Sequence, residues 1–217
     1  MLEGEKLKLL EINPMEIEKR SFAIIEEELR SMGIELSEDK KHVYLRAIHT
    51  SADFDYARNL VFSNDALERG EEALKGGTVV ITDTNMGKSG INKQALKKLG
   101  CGLECFMADE QVAALAKERH VTRAIVSMEQ AAKLYPNGIY VIGNAPTALI
   151  RLGELIDEGK CQPALVIGVP VGFVNVVESK EWIMTKGVPY IVAKGRKGGS
   201  NIGAAICNAM MYKLTRT

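Results

Sequence analysis

The chain has 217 residues, 46% of them hydrophobic, with 28 basic side chains set against 28 acidic ones. That length and apolar content suffice for one substantial core and fall short of two independent ones, so a single domain over residues 1–217 is expected. The zero net charge excludes a general attraction to nucleic acid or to an acidic membrane surface, and any anion site must be a local cluster.

Met1-Leu2-Glu3-Gly4-Glu5-Lys6 lacks the apolar stretch of a signal peptide, and no apolar run approaches the length of a bilayer span. The four cysteines, Cys101, Cys105, Cys161 and Cys207, stand in no disulfide pattern. Cys101 and Cys105 have no neighbouring His or second cysteine pair to complete a tetrahedral metal site. A soluble, cytoplasmic protein with reduced thiols and no protein-bound metal is expected.

In chain order the helices come first. Asn13-Pro14-Met15-Glu16 reads as a cap, a first-turn proline and a capping-box glutamate, and Gly33 marks the stop. Ile17, Ser21, Ile24 and Ile25 share a face by their spacing, which turns Ser21 inward among apolar neighbours. Ser37-Glu38-Asp39 begins a second helix running to about His49, on which His42, Arg46, His49 and Asp53 form one stripe. Asp53 and Asn64 are candidate caps for two more helices. Residues 1–76 thus form a helical N-terminal part packed on an α/β core of residues 77–217.

From residue 77 short apolar runs alternate with helical patterns. The runs Thr78 to Thr82, Glu104 to Met107, Ile139 to Ile142, Leu165 to Gly168 and Pro189 to Ala193 predict five strands of a mainly parallel sheet. Helices are predicted near Asn92 to Leu99, Asp109 to Arg119, Thr122 to Leu134, Ala145 to Glu158, Val174 to Thr185 and Asn201 to Leu214. The result is a three-layer α/β/α architecture with both sheet faces covered.

Ligands of such sheets bind outside the carboxyl ends of the strands. The five exits are Asp83 to Gly87, Ala108 to Glu110, Gly143 to Thr147, Val169 to Gly172 and Lys194 to Asn201. In the last, Lys194, Arg196 and Lys197 precede a helix N-terminus within a glycine-rich loop, a favourable place for phosphate or carboxylate. It lacks the Gly-Lys-Ser/Thr of a Walker loop, and a merely solvated basic turn is the plain alternative. Gly143-Asn144-Ala145-Pro146-Thr147 is equally readable as a strand-to-helix turn or as a ligand loop. Arg123 stands in the first turn of its helix, where a cation opposes the dipole. The histidines His42, His49 and His120 assemble no Ser/His/Asp or metal motif by local spacing, so histidine chemistry here would be acid-base.

Six ordered segments carry a resemblance that these spacings do not. Glu18 to Ile24, Arg46 to Asp53, Ile142 to Leu149, Gly168 to Val174, Glu178-Ser179-Lys180 and Gly195 to Ser200 are closely similar to the precorrin-8X methylmutase and cobalt-precorrin-8 methylmutase family. The resemblance spans nearly the whole chain. It is loose over Leu2 to Leu10, Glu35 to Lys41 and Ala113 to Tyr135.

The resemblance implies an isomerase of cobalamin biosynthesis. Such an enzyme moves a methyl group from ring carbon 11 to ring carbon 12 of a corrinoid and needs neither redox cofactor nor protein-bound metal. It further implies a homodimer with active sites near the subunit interface. His49 then corresponds to the acid-base residue and Ser21 to a substrate contact. Arg46, Arg123, Lys194, Arg196, Lys197 and Asn144 are the residues available to the substrate's acetate and propionate arms. Two other functions use the same crevice: a non-catalytic corrinoid carrier, and a phosphosugar- or nucleotide-binding α/β enzyme, which would leave Ser21 and His49 unexplained.

Overall fold

The computed structural model describes residues 14–216. The chain separates into a first unit ending at Glu35 and a second beginning at Leu36. The expected cap at Asn13 lies outside the described residues.

Helix α1 (Pro14–Ser31) is the body of the first unit, with Glu16 in its first turn and Arg30 in its last, both suited to the helix dipole. Gly33, at φ 69°, ends it. The Gly33 N–H reaches the Arg30 carbonyl at 3.0 Å and that of Ile34 reaches Leu29 at 2.9 Å, a left-handed closure that a side chain would resist. The face expected to turn inward is only partly the one that does. Ile25 and Leu29 are buried, but Ile17 and Ile24 are 49% and 47% exposed. The inward stripe runs through Phe22, Ile25 and Leu29, and Ser21 sits half-buried on its margin because Ile17 and Ile24 lie on its far flank.

The second unit opens with α2 (Lys41–Ser51), α3 (Tyr56–Asn59), β1 (Leu60–Phe62) and α4 (Ala66–Lys75). Next come β2 (Val79–Thr82), α5 (Asn85–Gly90), α6 (Lys93–Leu99), β3 (Gly102–Glu104), α7 (Glu110–Glu118) and α8 (Arg123–Leu134). The chain finishes with β4 (Ile139–Ile142), α9 (Pro146–Asp157), β5 (Leu165–Gly168), α10 (Val176–Ile183), β6 (Tyr190–Ala193) and α11 (Ser200–Thr215).

The strands form one sheet in the order β1-β6-β5-β4-β2-β3. It has six strands rather than five: β1 pairs antiparallel with β6, and every other pairing is parallel. Three residues are too few to show an alternating pattern, so β1 is a strand only because β6 lies beside it. Strand β3 ends at Glu104, where the sequence placed its start, because Gly102 and Glu104 register with Val79 and Ile81 of β2. Helix α5 occupies part of the expected Asp83 to Gly87 strand exit, where no helix is predicted. With glycines at 87 and 90 it has poor propensity, and it is held by Thr84, whose Oγ1 accepts the Gly87 N–H at 3.0 Å, and by packing on α11.

Both sheet faces are covered. Helix α11 packs on α2, α4, α5 and α6, while α9 packs between α8 and α10. The inner strands are accordingly β-branched and apolar, with Ile139, Tyr140, Val141 and Ile142 all buried in β4. On the α8–α9 side the core joins Met128, Tyr140, Ile142, Leu149, Leu152 and Val166. Each such aliphatic side chain contributes roughly 1.5–3 kcal/mol by leaving water.

The connection from β2 to β3 moves one way along the sheet, and those from β3 to β4, β4 to β5 and β5 to β6 move the other way. With right-handed crossovers the chain therefore switches faces between β2 and β4. The crevice of such a fold opens at that switch, outside the carboxyl ends of the strands.

Candidate active site

At the switch point the strand exits are bonded to one another. Asp83, just after β2, is almost wholly buried beneath the turn after β4. Its Oδ1 accepts the Gly143 N–H at 2.9 Å, and its Oδ2 accepts those of Asn144 and Ala145 at 2.8 and 2.7 Å. Burial pushes the Asp83 carboxyl above its ordinary value against the opposing pull of those three donors. The adjacent Thr84 hydroxyl lies 2.7 Å from that of Ser200, the first residue of α11. Any side chain at Gly143 would collide with the Ser200 backbone, so the β4 and β6 exits meet only because residue 143 is glycine.

The β5 and β6 exits are joined in the same way. The Gly199 N–H donates to the Val169 carbonyl at 2.9 Å and the Gly172 N–H to that of Arg196 at 3.2 Å. Buried Lys180 of α10 reaches the same loop from beneath, its Nζ donating to the carbonyls of Gly195 and Lys197 at 2.8 Å each. On the outer surface Val171, Phe173 and Val174 are exposed, the last two by 81% and 77%. The Arg196 guanidinium sits over the Phe173 ring, 5.4 Å from its centroid. The site thus offers an apolar ledge beside exposed basic groups at the N-terminal end of a 16-residue helix.

Helix α2 is brought to this loop at its end. Lys197 pairs with Asp53 at 2.7 Å and with Asp55 at 2.5 Å. The two carboxylates hold the Lys197 ammonium well above the ordinary lysine range, and Lys197 in turn holds the Asp53 carboxyl below its own. Asp53 itself lies beyond the helix, which corrects the expected four-residue stripe. The chain leaves α2 at Ala52, which adopts φ 54° and ψ 28° and returns its N–H to the Ile48 carbonyl at 2.7 Å. The Ser51 hydroxyl then accepts the Asp53 N–H at 3.2 Å. Helix α2 also starts at Lys41, four residues later than Ser37; the Ser37 hydroxyl instead bonds Asp39 locally.

The candidate residues fall into groups. His49 is exposed on the last turn of α2, close in sequence to the Asp53–Lys197 pair. Lys194, Arg196 and Lys197 share the β6 exit, and all three are exposed, although Lys197 is committed to its two carboxylates. Asn144 is exposed on the turn that Asp83 holds. Arg123 is exposed at the start of α8, whose cap Thr122 donates to Thr147 of the β4 exit at 3.4 Å. Arg46 turns the other way along α2: its guanidinium lies 5.0 Å from the ring centre of Tyr212, near the far end of α11. His42, nearest that end, is pulled below its ordinary value by burial and by Lys213. Ser21, in the first unit, donates to the Ile17 carbonyl at 2.9 Å.

Asp109 is taken up in capping α7, accepting the N–H groups of Gln111 and Val112. A hollow of about 330 Å³ between α8 and α9 is lined by Arg119, Glu129 and Arg151. Arg119 and Arg151 both already pair with Glu129. Local sequence gives Asp83, Thr84, Ser200 and Lys180 no individual role. Two of them carried a signal: a carboxylate directly after an apolar strand, and a charge on the apolar stripe of Val176 and Ile183.

Fold and site together define an α/β protein in which the strand exits of a mainly parallel sheet present exposed basic groups beside an apolar ledge. The precorrin-8X methylmutase pattern matches residues 16–213, and the chain belongs to that family. It is 42% identical over 205 residues to the cobalt-precorrin-8 methylmutase of Priestia megaterium, covering 94% of this chain and 90% of that protein. The Salmonella typhimurium cobalt-precorrin-8 methylmutase is also 42% identical over 205 residues, covering 93% and 96%. A Pseudomonas aeruginosa precorrin-8X methylmutase is 38% identical over 196 residues, covering 89% and 93%. The solved precorrin-8X methyl mutase of Thermus thermophilus superposes with a TM-score of 0.82 at 37% identity, over 90% of this chain and 96% of that one.

Proposed function

We propose that this chain is an isomerase of cobalamin biosynthesis, moving the methyl group on ring carbon 11 of a precorrin-8 substrate to ring carbon 12. The product is the corresponding hydrogenobyrinate or, with cobalt, cobyrinate. The observation that carries the reading is the Asp53–Lys197 pair, which joins the turn after the His49 helix to the basic β6 exit in a chain of this family. In this reading His49 protonates the conjugated macrocycle, which polarises it for the shift, and recovers a proton afterwards. Substrate and product are isomers, so no net proton, electron or cofactor is consumed. Ser21 orients the ring or one of its arms. Arg196 and Lys194 meet peripheral carboxylates, with Asn144 and Arg123 as further contacts; Lys197 and Arg46 join them only by turning from Asp53 and Asp55 and from Tyr212. Phe173 and Val174 offer apolar surface to the ring.

Cobalt, where present, belongs to the substrate. The relatives at 42% identity carry the cobalt-precorrin-8 name, which favours the cobalt-bearing form. Turnover of precorrin-8 with and without cobalt, followed by the visible spectrum of the product, tests both points. Binding without conversion of either form would make the chain a carrier.

The reading takes residues 1–217 as one methylmutase domain acting in the cytoplasm; no helix among the described residues is long and apolar enough to cross a membrane. It also takes the working form as a homodimer, to which the exposed ledge of Val171, Phe173 and Val174 lends support. Light scattering should give twice the chain mass, and a fully active monomer would defeat the shared-site arrangement.

A further inference from the structure

Lys180 is fully buried in α10 between Val176 and Ile183, both also buried. Its ammonium donates to the carbonyls of Gly195 and Lys197, the two that flank Arg196. The Arg196 carbonyl between them accepts the Gly172 N–H. Three successive carbonyls of the β6 exit are therefore held in place, and Arg196 is left exposed above Phe173.

Stability does not account for a lysine here. Removing an ammonium from water carries a large penalty, which hydrogen bonds to neutral carbonyls offset only in part. Burial accordingly brings the group down to about 8. An unbranched apolar side chain would continue the α10 stripe without that penalty.

We propose that Lys180 is a positioning residue: it fixes the backbone of residues 195–197 so that the Arg196 guanidinium is presented to a carboxylate arm of the substrate. The role rests on the functional reading above, and it acts through Arg196 rather than by contact with the ring.

A double-mutant cycle tests it. The full chain, Lys180→Met, Arg196→Ala and the double variant are titrated with the product corrinoid, and single-turnover rates are taken at saturation. Lys180→Met should weaken binding about tenfold in the native background and less than about twofold once Arg196 is alanine, because interacting residues are non-additive. The rate at saturation should change little, and amide exchange should quicken within residues 194–199. Additive losses, or a saturated rate that collapses while binding holds, would overturn the proposal. If Lys180→Met does not fold, Lys180→Arg enters the same cycle, since its wider planar head keeps the charge but changes the geometry of both bonds. A native chain that neither binds nor converts a corrinoid would sink the functional reading instead. Amide exchange then decides about Lys180: unchanged exchange overturns the positioning role, and faster exchange confined to residues 194–199 supports it.

Discussion

The Lys197 ammonium stands 2.7 Å from the Asp53 carboxylate, so the basic exit after β6 and the turn after α2 are one assembly. Lys197 spends its charge on Asp53 and Asp55, whereas Arg196 beside it faces only the Phe173 ring among the contacts described. Arg196→Ala should therefore weaken product binding by about 1–3 kcal/mol, as expected for loss of a charge-assisted hydrogen bond. Lys197→Ala should have the smaller effect on affinity and the larger one on turnover, because it frees the turn next to His49. Spectral titration and steady-state kinetics separate the two. Rising salt should weaken binding by the native chain more than binding by Arg196→Ala.

His49→Ala should fold and bind product normally while its single-turnover rate falls by roughly a hundredfold to ten-thousandfold, the usual contribution of a positioned general acid. Ser21→Ala should cost less in rate and show mainly in affinity. A His49→Ala rate within about threefold of the native one would mean that another group supplies the proton.

Ala52 closes α2 in the left-handed region, which a β-carbon opposes by about 1–2 kcal/mol. Ala52→Gly relieves that strain but gives up chain entropy on folding. The expected net change in unfolding free energy is an increase of no more than about 1 kcal/mol. Denaturant titration measures it. A clear loss of stability would show that the Ala52 methyl packs more tightly than its exposed position indicates.

Asp83 holds three main-chain N–H groups, so Asp83→Leu should destabilise the chain by about 3 kcal/mol or more by leaving buried donors unpaired. Asp83→Asn retains one acceptor and should lose less. Thermal unfolding ranks the variants, and a neutral Asp83→Leu would show that water can replace the carboxylate.

Lys180 gives a pH dependence whose sign is fixed. Its folded value of about 8 lies below its ordinary 10.5. Below pH 8 both states hold the proton, and between 8 and 10.5 the unfolded chain holds more, so this group's contribution to stability rises with pH across that window. At about 1.36 kcal/mol per unit the gain approaches roughly 3 kcal/mol. Tyrosines freed on unfolding titrate at about pH 10, so the readable quantity is the native chain minus Lys180→Met, measured by denaturant from pH 7.5 to 10.5. A flat difference would mean that Lys180 keeps its proton.

Local chemistry was enough for much of the architecture. Ile139 to Ile142 and Leu165 to Gly168 are apolar, largely β-branched runs of strand length, and they form β4 and β5 at the expected positions. Asn92, Asp109 and Thr122 each cap the helix that follows them, because a short side-chain acceptor serves amides only two or three residues away. The strand exits and the basic β6 loop were legible for the same reason. The family was legible because six separate segments each resemble it in the same order.

Only the tertiary structure decided the rest, since the interactions concerned join residues far apart in the chain. Leu60–Phe62 becomes a strand through pairing with Ile191–Ala193, and Asn85–Gly90 becomes a helix by resting on α11. Asp83 finds its donors 60 to 62 residues later. Arg46 and Lys197 show the limit most directly, because a sequence states that a side chain is cationic but not where its charge is spent. Folding turns Arg46 toward Tyr212, commits Lys197 to Asp53 and Asp55, and leaves Arg196 exposed on the outer surface of the loop.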